Sequence, residues 1–336
     1  MGQNLKISVL GDGGWGTTLA ILLNNKGYDV TLWGAFPEYI KFMTRKRENK
    51  KFLPGIKLPS SIILTYNIVA ATKDKDMIIL AVPSQYMRGV LRRFPKTKTT
   101  PRRCGTVYIS AAKGIENSTL LRMSEVIQEE LGKVDLAVIS GPTISYEAAR
   151  GLPTTAVAAS KKEGIAKRVQ EAFSAEGFRV YTSLDVIGLE VGGSLKNIVA
   201  IAAGISDGLG FGANSKAALL TRGLAEITRL GVAMGARKET FYGLSGLGDL
   251  VTTCISPYGR NRWFGEQVGK GKEPREVLKN TEMAIEGVPT AKSAYNLAKR
   301  RRIEMPITEQ VYKILYQGKS PILAVKELML RPMKAE

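Results

Sequence analysis

The chain has 336 residues, 44% of them hydrophobic and 24% charged, a composition that excludes a disordered or fibrous protein and allows two domains, each with its own core. Its formal net charge is +19, but the densest basic clusters, TRKREN (44–49), KTKTTPRR (96–103) and AKRRR (298–302), are not interleaved with aromatics. They read as a solvated face, so no specific nucleic-acid partner is expected. Apolar runs fall short of the roughly 18 residues of a membrane span, and the start shows no secretory pattern. Gly2 fits the opening of a myristoylation pattern, but Lys6 stands where Ser or Thr is needed. The two cysteines, Cys104 and Cys254, have no metal-like spacing, so no metal is expected and a reducing cytoplasm is the simplest location. The chain contains no histidine, so any proton transfer near neutral pH must use another side chain.

In chain order, KISVL (6–10), DVTLW (29–33), DMIILAV (76–82), TVYIS (106–110), LAVISG (136–141), TTAVAAS (154–160) and RVYTS (179–183) read as buried strands. Helical stretches such as Thr17–Lys26 and Thr119–Leu131 lie between several of them. This alternation predicts a largely parallel sheet with helices on both faces, an α/β domain over residues 1–185. Beyond it the pattern turns to long helical runs, predicting an all-α domain over 186–336. Within that second domain, SKAALLTRGLAEITRLGVAMGA (215–236) reads as one helix capped by Asn214 or Ser215.

The first strand runs into VLGDGGWGTTLA. Gly11, Gly13 and Gly16 have G-x-G-x-x-G spacing, between a strand and a helix, where the pattern signals a dinucleotide. Gly11 makes the tight turn, Gly13 lets backbone approach a pyrophosphate, and Gly16 lets helix and sheet pack closely. The helix N-terminus then offers its N–H groups and dipole to the phosphates. Asp12 is unusual in such a loop, and its carboxylate is expected to turn away from the phosphates. The end of the second strand, where an acid selects NAD and an arginine NADP, reads Trp33-Gly34-Ala35. Neither residue type is present, Arg45, Lys46 and Arg47 cannot be placed, and the choice between NAD and NADP stays open, with weak selection expected.

VGGSLKNIVAIAAG (191–204) opens the second domain with a lysine inside an apolar helix. Lys196 shares a face with Gly192, Gly193, Val199, Ala200 and Ala203. The bland alternative is a lysine whose head reaches water. The neighbouring Asn197, the glycine lining and the absence of histidine favour a partly desolvated lysine of lowered pKa, able to exchange protons near neutrality.

Four blocks gather the remaining glycines and polar groups: SAAKGIE (110–116), SGPTISYEAARGLPTT (140–155), VGGSLKNIVAIAAGISDGLGFGAN (191–214) and GLSGLGDLVTTCISPYGRNR (243–262). With the glycine fingerprint, ENKKFLPGIKLP (48–59) and EGVPTAKSAYNLAKRRRIEMPI (286–307), they resemble the bacterial-type NAD(P)-dependent glycerol-3-phosphate dehydrogenases nearly end to end. The resemblance implies a Rossmann-type N-terminal domain, a helical C-terminal domain, and reduction of dihydroxyacetone phosphate to sn-glycerol 3-phosphate, the precursor of the phospholipid backbone, by a homodimer. It implies Lys196 as proton donor or acceptor. Lys113 would polarise the carbonyl oxygen and touch the cofactor, the alternative being an ordinary loop lysine. Asp249 would bind a substrate hydroxyl or orient Lys196, the alternative being a helix N-cap. Asn197, Gly141 and Thr143 would join the substrate site.

For the substrate phosphate the resemblance implies Arg260 and Asn261, with Gly259 where serine is usual, so that only a backbone N–H could serve there. Gly14, Trp15, Ser145, Arg260 and Glu286 would line the dinucleotide. Two other functions compete. One is a related two-domain reductase for another 2-keto or 3-hydroxy acid. The other is a catalytically silent nucleotide-binding sensor. Steady-state turnover with a triose substrate separates the sensor from the enzymes.

Overall fold

A computed structural model describes residues 4–95, 105–333 and 335; Gly2, Cys104 and the basic cluster at 96–103 lie outside them. Eight strands form one sheet: β1 (Lys6–Leu10), β2 (Asp29–Trp33), β3 (Ile63–Thr65), β4 (Met77–Leu80), β5 (Val107–Ser110), β6 (Asp135–Ser140), β7 (Thr154–Ala159) and β8 (Phe178–Ser183). Their spatial order is β3-β2-β1-β4-β5-β6-β7-β8. All neighbours are parallel except β6 and β7. The inner strands are near-continuous apolar runs because helices cover both faces. Seven helices alternate with the strands along the chain: α1 (Gly14–Asn25), α2 (Pro37–Lys46), α3 (Ile68–Thr72), α4 (Met87–Leu91), α5 (Met123–Leu131), α6 (Ser145–Ala149) and α7 (Glu163–Phe173).

The chain runs outward from β1 to β3, then returns to lay β4 on the other side of β1. Leu10 stands level with Trp33 and Leu80. That reversal opens a crevice at the carboxyl ends of β1 and β4, the place where open α/β sheets bind ligands. The seven expected strands are present. The short edge strand β3, half exposed, was not legible from its sequence, SIILTY. Two helix starts differ from expectation. α1 begins at Gly14, ahead of Thr17, because the glycine loop itself enters the helix. α5 begins at Met123, well after Thr119, because a bridge between Ile115 and Arg122 holds the intervening residues in a turn.

The second region is helical: α8 (Val186–Gly208), α9 (Ala213–Ala233), α10 (Asp249–Ile255), α11 (Arg260–Gly269), α12 (Pro274–Lys279), α13 (Gly287–Arg301), α14 (Pro306–Gln317) and α15 (Pro321–Met329). The N-cap of α9 is Gly212, not Asn214 or Ser215, and no side chain caps it. α8 is the axis of this region. It is long and apolar enough to cross a membrane, contrary to the expectation from apolar run length, but 89% of its most apolar window is buried inside the protein. A helix apolar all round is a core helix when other helices surround it. Its small residues set the packing distance. A Cβ at Gly204 would lie 1.9 Å from the Arg262 carbonyl oxygen, and one at Gly265 would lie 2.0 Å from that of Ile201, so α8 and α11 meet backbone to backbone. Asp185 caps α8 through the N–H of Gly188 and also accepts from Arg237 N–H and Thr240. A buried Arg122–Glu190 pair ties the start of α5 to α8.

Candidate active site

The glycine loop leaves β1 at Gly11, whose φ of +123° favours glycine. A Cβ there would lie 2.7 Å from the backbone of Ala81, and one at Gly16 would lie 1.9 Å from the Gly11 carbonyl oxygen. These two glycines are required by the fold. Gly13 is different: a Cβ there would meet nothing within 4 Å. Its openness serves whatever approaches from outside. Gly13 is also the N-cap of α1 and supplies no side-chain cap, and the first turn carries no acid. The helix therefore presents unsatisfied N–H groups to the crevice, an arrangement suited to phosphate.

Gly14 packs against the carbonyl of Phe52, with Ser145 close by, and the Thr18 hydroxyl donates to the Ser145 carbonyl. This fixes Ser145, the first residue of α6, beside the loop. Trp15 tilts toward Phe178 at 6.3 Å between ring centres. Its indole N–H and Asp12 Oδ2 are buried polar atoms with no hydrogen-bond partner among the described residues. The open Gly13, the uncapped helix and these orphaned atoms fit a dinucleotide.

The other end of the cleft is built from side chains. Lys196 is 6% exposed and Asp249 is 1% exposed. Lys196 Nζ donates to Asp249 Oδ1 and to the Thr253 hydroxyl. Lys113, on the loop after β5, donates to Asp249 Oδ2 at 2.8 Å, to the Gly141 carbonyl at 2.9 Å and more distantly to Thr143 at 3.4 Å. One buried carboxylate thus holds two ammonium groups. Lys196 does not reach for water. Burial is the main cause that lowers its pKa, to about 8, and Lys113 adds to the depression while Asp249 opposes it. Asp249 is the first residue of α10 and Gly248 is the N-cap, so its carboxylate serves the lysines and not the helix end.

Small residues make this convergence feasible. A Cβ at Gly193 would crowd Ser140 Oγ at 2.7 Å and approach the stem of Lys113, and one at Gly192 would lie 2.5 Å from the Ser245 carbonyl oxygen. The glycine stripe on α8 lets both the Lys113 loop and the turn before α10 come close. Gly141, at φ +136°, turns its carbonyl toward Lys113 at the end of β6.

A chain of amides continues the site. Asn197 donates to the Lys113 carbonyl and accepts from Asn261, and Asn261 accepts from the N–H of Gly287. Glu286, just before α13, accepts from the N–H and hydroxyl of Ser84, the second residue after Val82 at the crevice. Burial raises the pKa of Glu286, and Arg260 opposes that shift. Arg260 begins α11 and makes no hydrogen bond among the described residues. Its side chain is open to solvent, yet protein crowds it closely enough to lower its pKa. That is the state of a guanidinium lining a cleft with its donors unengaged. Gly259 differs from expectation in one respect: its N–H is bonded to the Ser256 carbonyl at 3.1 Å. A Cβ there would lie 2.8 Å from the Thr253 carbonyl oxygen.

Lys113, Lys196, Asp249, Asn197, Gly141 and Thr143 meet at the lysine end, with Asn261 joined through Asn197, and Gly11, Gly13, Gly14, Trp15, Gly16 and Ser145 lie together at the glycine end; Glu286 is tied to Ser84, and Arg260 and Gly259 bond to none of these side chains among the described residues. Two residues were not anticipated. Thr253 lies four positions after Asp249 on α10, so helical spacing in GLGDLVTTC places it beside the same lysine. Ser84 follows the end of β4 in AVPSQ, where the strand-order reversal would have pointed.

The chain matches the family models for the N-terminus (residues 6–166) and C-terminus (residues 185–326) of NAD-dependent glycerol-3-phosphate dehydrogenase. It is 51% identical over 338 residues to a glycerol-3-phosphate dehydrogenase [NAD(P)+] of Citrifermentans bemidjiense, covering 98% of each chain. A protein of the same name from Geobacter sp. strain M21 is 52% identical over 334 residues, again covering 98% of each. Among solved structures, glycerol-3-phosphate dehydrogenase from Coxiella burnetii superposes with a TM-score of 0.92 at 39% identity, over 97% of this chain and 99% of that one.

Proposed function

The chain belongs to the NAD-dependent glycerol-3-phosphate dehydrogenase family, and from that premise we propose that Lys196 carries the proton of its reaction, held by Asp249 and assisted by Lys113. The chain is an NAD(P)-dependent oxidoreductase that reversibly reduces dihydroxyacetone phosphate to sn-glycerol 3-phosphate. The bound reduced cofactor supplies a hydride to the ketone carbon. As negative charge grows on the carbonyl oxygen, Lys196 gives that oxygen a proton and becomes a neutral amine. In the oxidation direction the neutral amine takes the proton back. An ammonium has three donors; Asp249 and Thr253 engage two of them on Lys196, leaving one for the substrate.

Lys113 acts as a fixed positive charge where the oxyanion develops. Its long contact to Thr143 is the one a substrate oxygen would replace, beside Gly141. Arg260 and Asn261 take the phosphate, with Gly259 shaping the turn that presents them. Arg260 also lies near Glu286 at the cofactor wall. The observation that carries these roles is the single buried carboxylate shared by two lysines. The test is rescue. In Lys196→Ala, added methylamine should restore part of the lost turnover in proportion to its concentration, and the same amine should do nothing for Arg260→Ala.

We divide the chain at residue 185, a dinucleotide domain before it and a substrate domain after it. The last strand ends at Ser183 and α8 begins at Val186, which supports that division. The enzyme works as a cytoplasmic homodimer supplying the phospholipid backbone. Exposed Tyr181 on the edge strand β8 and Leu184 just after it are suited to a subunit contact, and sedimentation of the purified protein measures the mass.

A further inference from the structure

The glycine loop carries a carboxylate that phosphate binding does not use. Asp12 turns away from the uncapped start of α1 and lies over Gly34, the residue after β2. A Cβ at Gly34 would stand 2.5 Å from Asp12 Oδ2 and 2.6 Å from its Cγ. The carboxylate therefore fills the space in which a side chain of residue 34 would begin. In doubly wound folds that position, about 20 residues beyond the fingerprint, holds the acid that bonds the adenosine ribose hydroxyls. Here β2 ends in Trp33-Gly34-Ala35 and offers no acid of its own.

Given the family's dinucleotide site, we propose that Asp12 takes over the ribose-reading role from β2, accepting from the 2′-hydroxyl of NAD(H) and repelling the 2′-phosphate of NADP(H). Oδ2 is buried against Gly34 and has no donor among the described residues, so a hydroxyl that enters as this contact opens satisfies an atom the protein leaves unpaired. Burial also raises the pKa of this group, which a hydroxyl donor to the carboxylate would counter. The basic residues after β2 do not compete for the position. Arg47 donates to the carbonyls of Leu58, Pro59 and Ile62. Arg45 and Lys46 lie in the last turn of α2, about 1.5 Å per residue farther along the helix from β2. One cation does approach this strand end: Arg93 lies over the Trp33 ring, 5.2 Å from its centre. The weak selection expected from Ala35 alone thus becomes a preference for NAD(H).

Isothermal titration decides this without turnover. The wild-type chain should bind NADH about 10²-fold more tightly than NADPH, the scale of one or two charged hydrogen bonds, and ADP-ribose should beat its 2′-phosphate by a similar factor. Asp12→Asn, which keeps shape and removes charge, should bring both ratios to within about fivefold, chiefly by tightening the 2′-phosphorylated ligands. The wild-type ratios need no variant and stand even if Asp12→Asn melts early. Equal wild-type affinities, or tighter NADPH, would overturn the proposal, the latter assigning the ribose to Arg93. An unchanged ratio in Asp12→Asn would overturn it as well. Failure of every dinucleotide to bind would overturn the cofactor site itself.

Discussion

The two ends of the cleft are made of different materials. At the glycine end, the unengaged donors are backbone N–H groups on one continuous segment, Gly14 to Gly16 in the uncapped first turn of α1. At the lysine end, they are side chains from the loop after β5, from α8, from α10 and from α11. The first end owes its shape to missing atoms. The second owes its chemistry to charges forced together in a dry place. The comparison teaches that a binding surface can be encoded locally, whereas a tuned proton carrier requires convergence. The lowered pKa of Lys196 exists because burial and Lys113 push it down while Asp249 keeps it from falling further.

The difference can be broken most sharply at Lys196. Lys196→Ala should lower turnover by roughly 10²–10⁴, the usual contribution of general acid–base catalysis. Dinucleotide affinity, measured by fluorescence titration, should change little, because the lysine end does not make the phosphate site of α1. A large loss of NADH binding in this variant would erase the distinction between the two ends.

Arg260→Ala should come next. Its donors are unengaged in the cleft, and a charged, bidentate contact to phosphate is worth about 1.5–3 kcal/mol per bond. The value of kcat/KM for dihydroxyacetone phosphate should fall about 10²-fold, and much less for dihydroxyacetone, which lacks the phosphate. Equal losses on both substrates would move Arg260 to the cofactor or the fold.

The glycine end is sharpened by a smaller pair of effects. Gly13→Ala adds a methyl group into open space, so it should destabilise the protein only by the cost of an alanine N-cap, about 0.5–1 kcal/mol, while NADH binding weakens about tenfold, or roughly 1.4 kcal/mol. Gly16→Ala places a Cβ against the Gly11 carbonyl, so it should destabilise the protein by about 1–3 kcal/mol or more as overpacking does. Thermal melting of the two variants side by side separates a glycine kept for the ligand from one kept for the fold.

The same contrast explains what the sequence revealed. Strand periodicity and the G-x-G-x-x-G spacing are local, so the sheet, α1 and the crevice were legible without coordinates. The out-of-pattern Lys196 was legible because a charge amid small apolar residues is conspicuous. Its partners were not legible from spacing: residues 113, 196 and 249 are far apart in sequence, and only resemblance to a family brought them onto one page. Thr253 and Ser84 were missed although each had a local cue. The placement of Asp12 over Gly34 was not legible, because the space at the end of β2 is filled by a side chain from the neighbouring loop and not by one of β2's own. β3 escaped because a short, half-exposed edge strand lacks the continuous apolar run of its buried neighbours.

The central claim is that Lys196 exchanges the proton with a pKa lowered to about 8 by burial beside a second lysine. Reduction needs its protonated form and oxidation its neutral form. The most direct measurement is the pH dependence of kcat/KM in both directions, which reports the groups of the free enzyme, from about pH 6 to pH 10, in the wild type and in Lys196→Ala. The wild type should lose reduction and gain oxidation as pH rises through a common apparent pKa near 8, giving mirror-image limbs, and both limbs should vanish in the variant. Wild-type profiles that stay flat through that range in both directions, or limbs that persist unchanged in Lys196→Ala, would contradict the account.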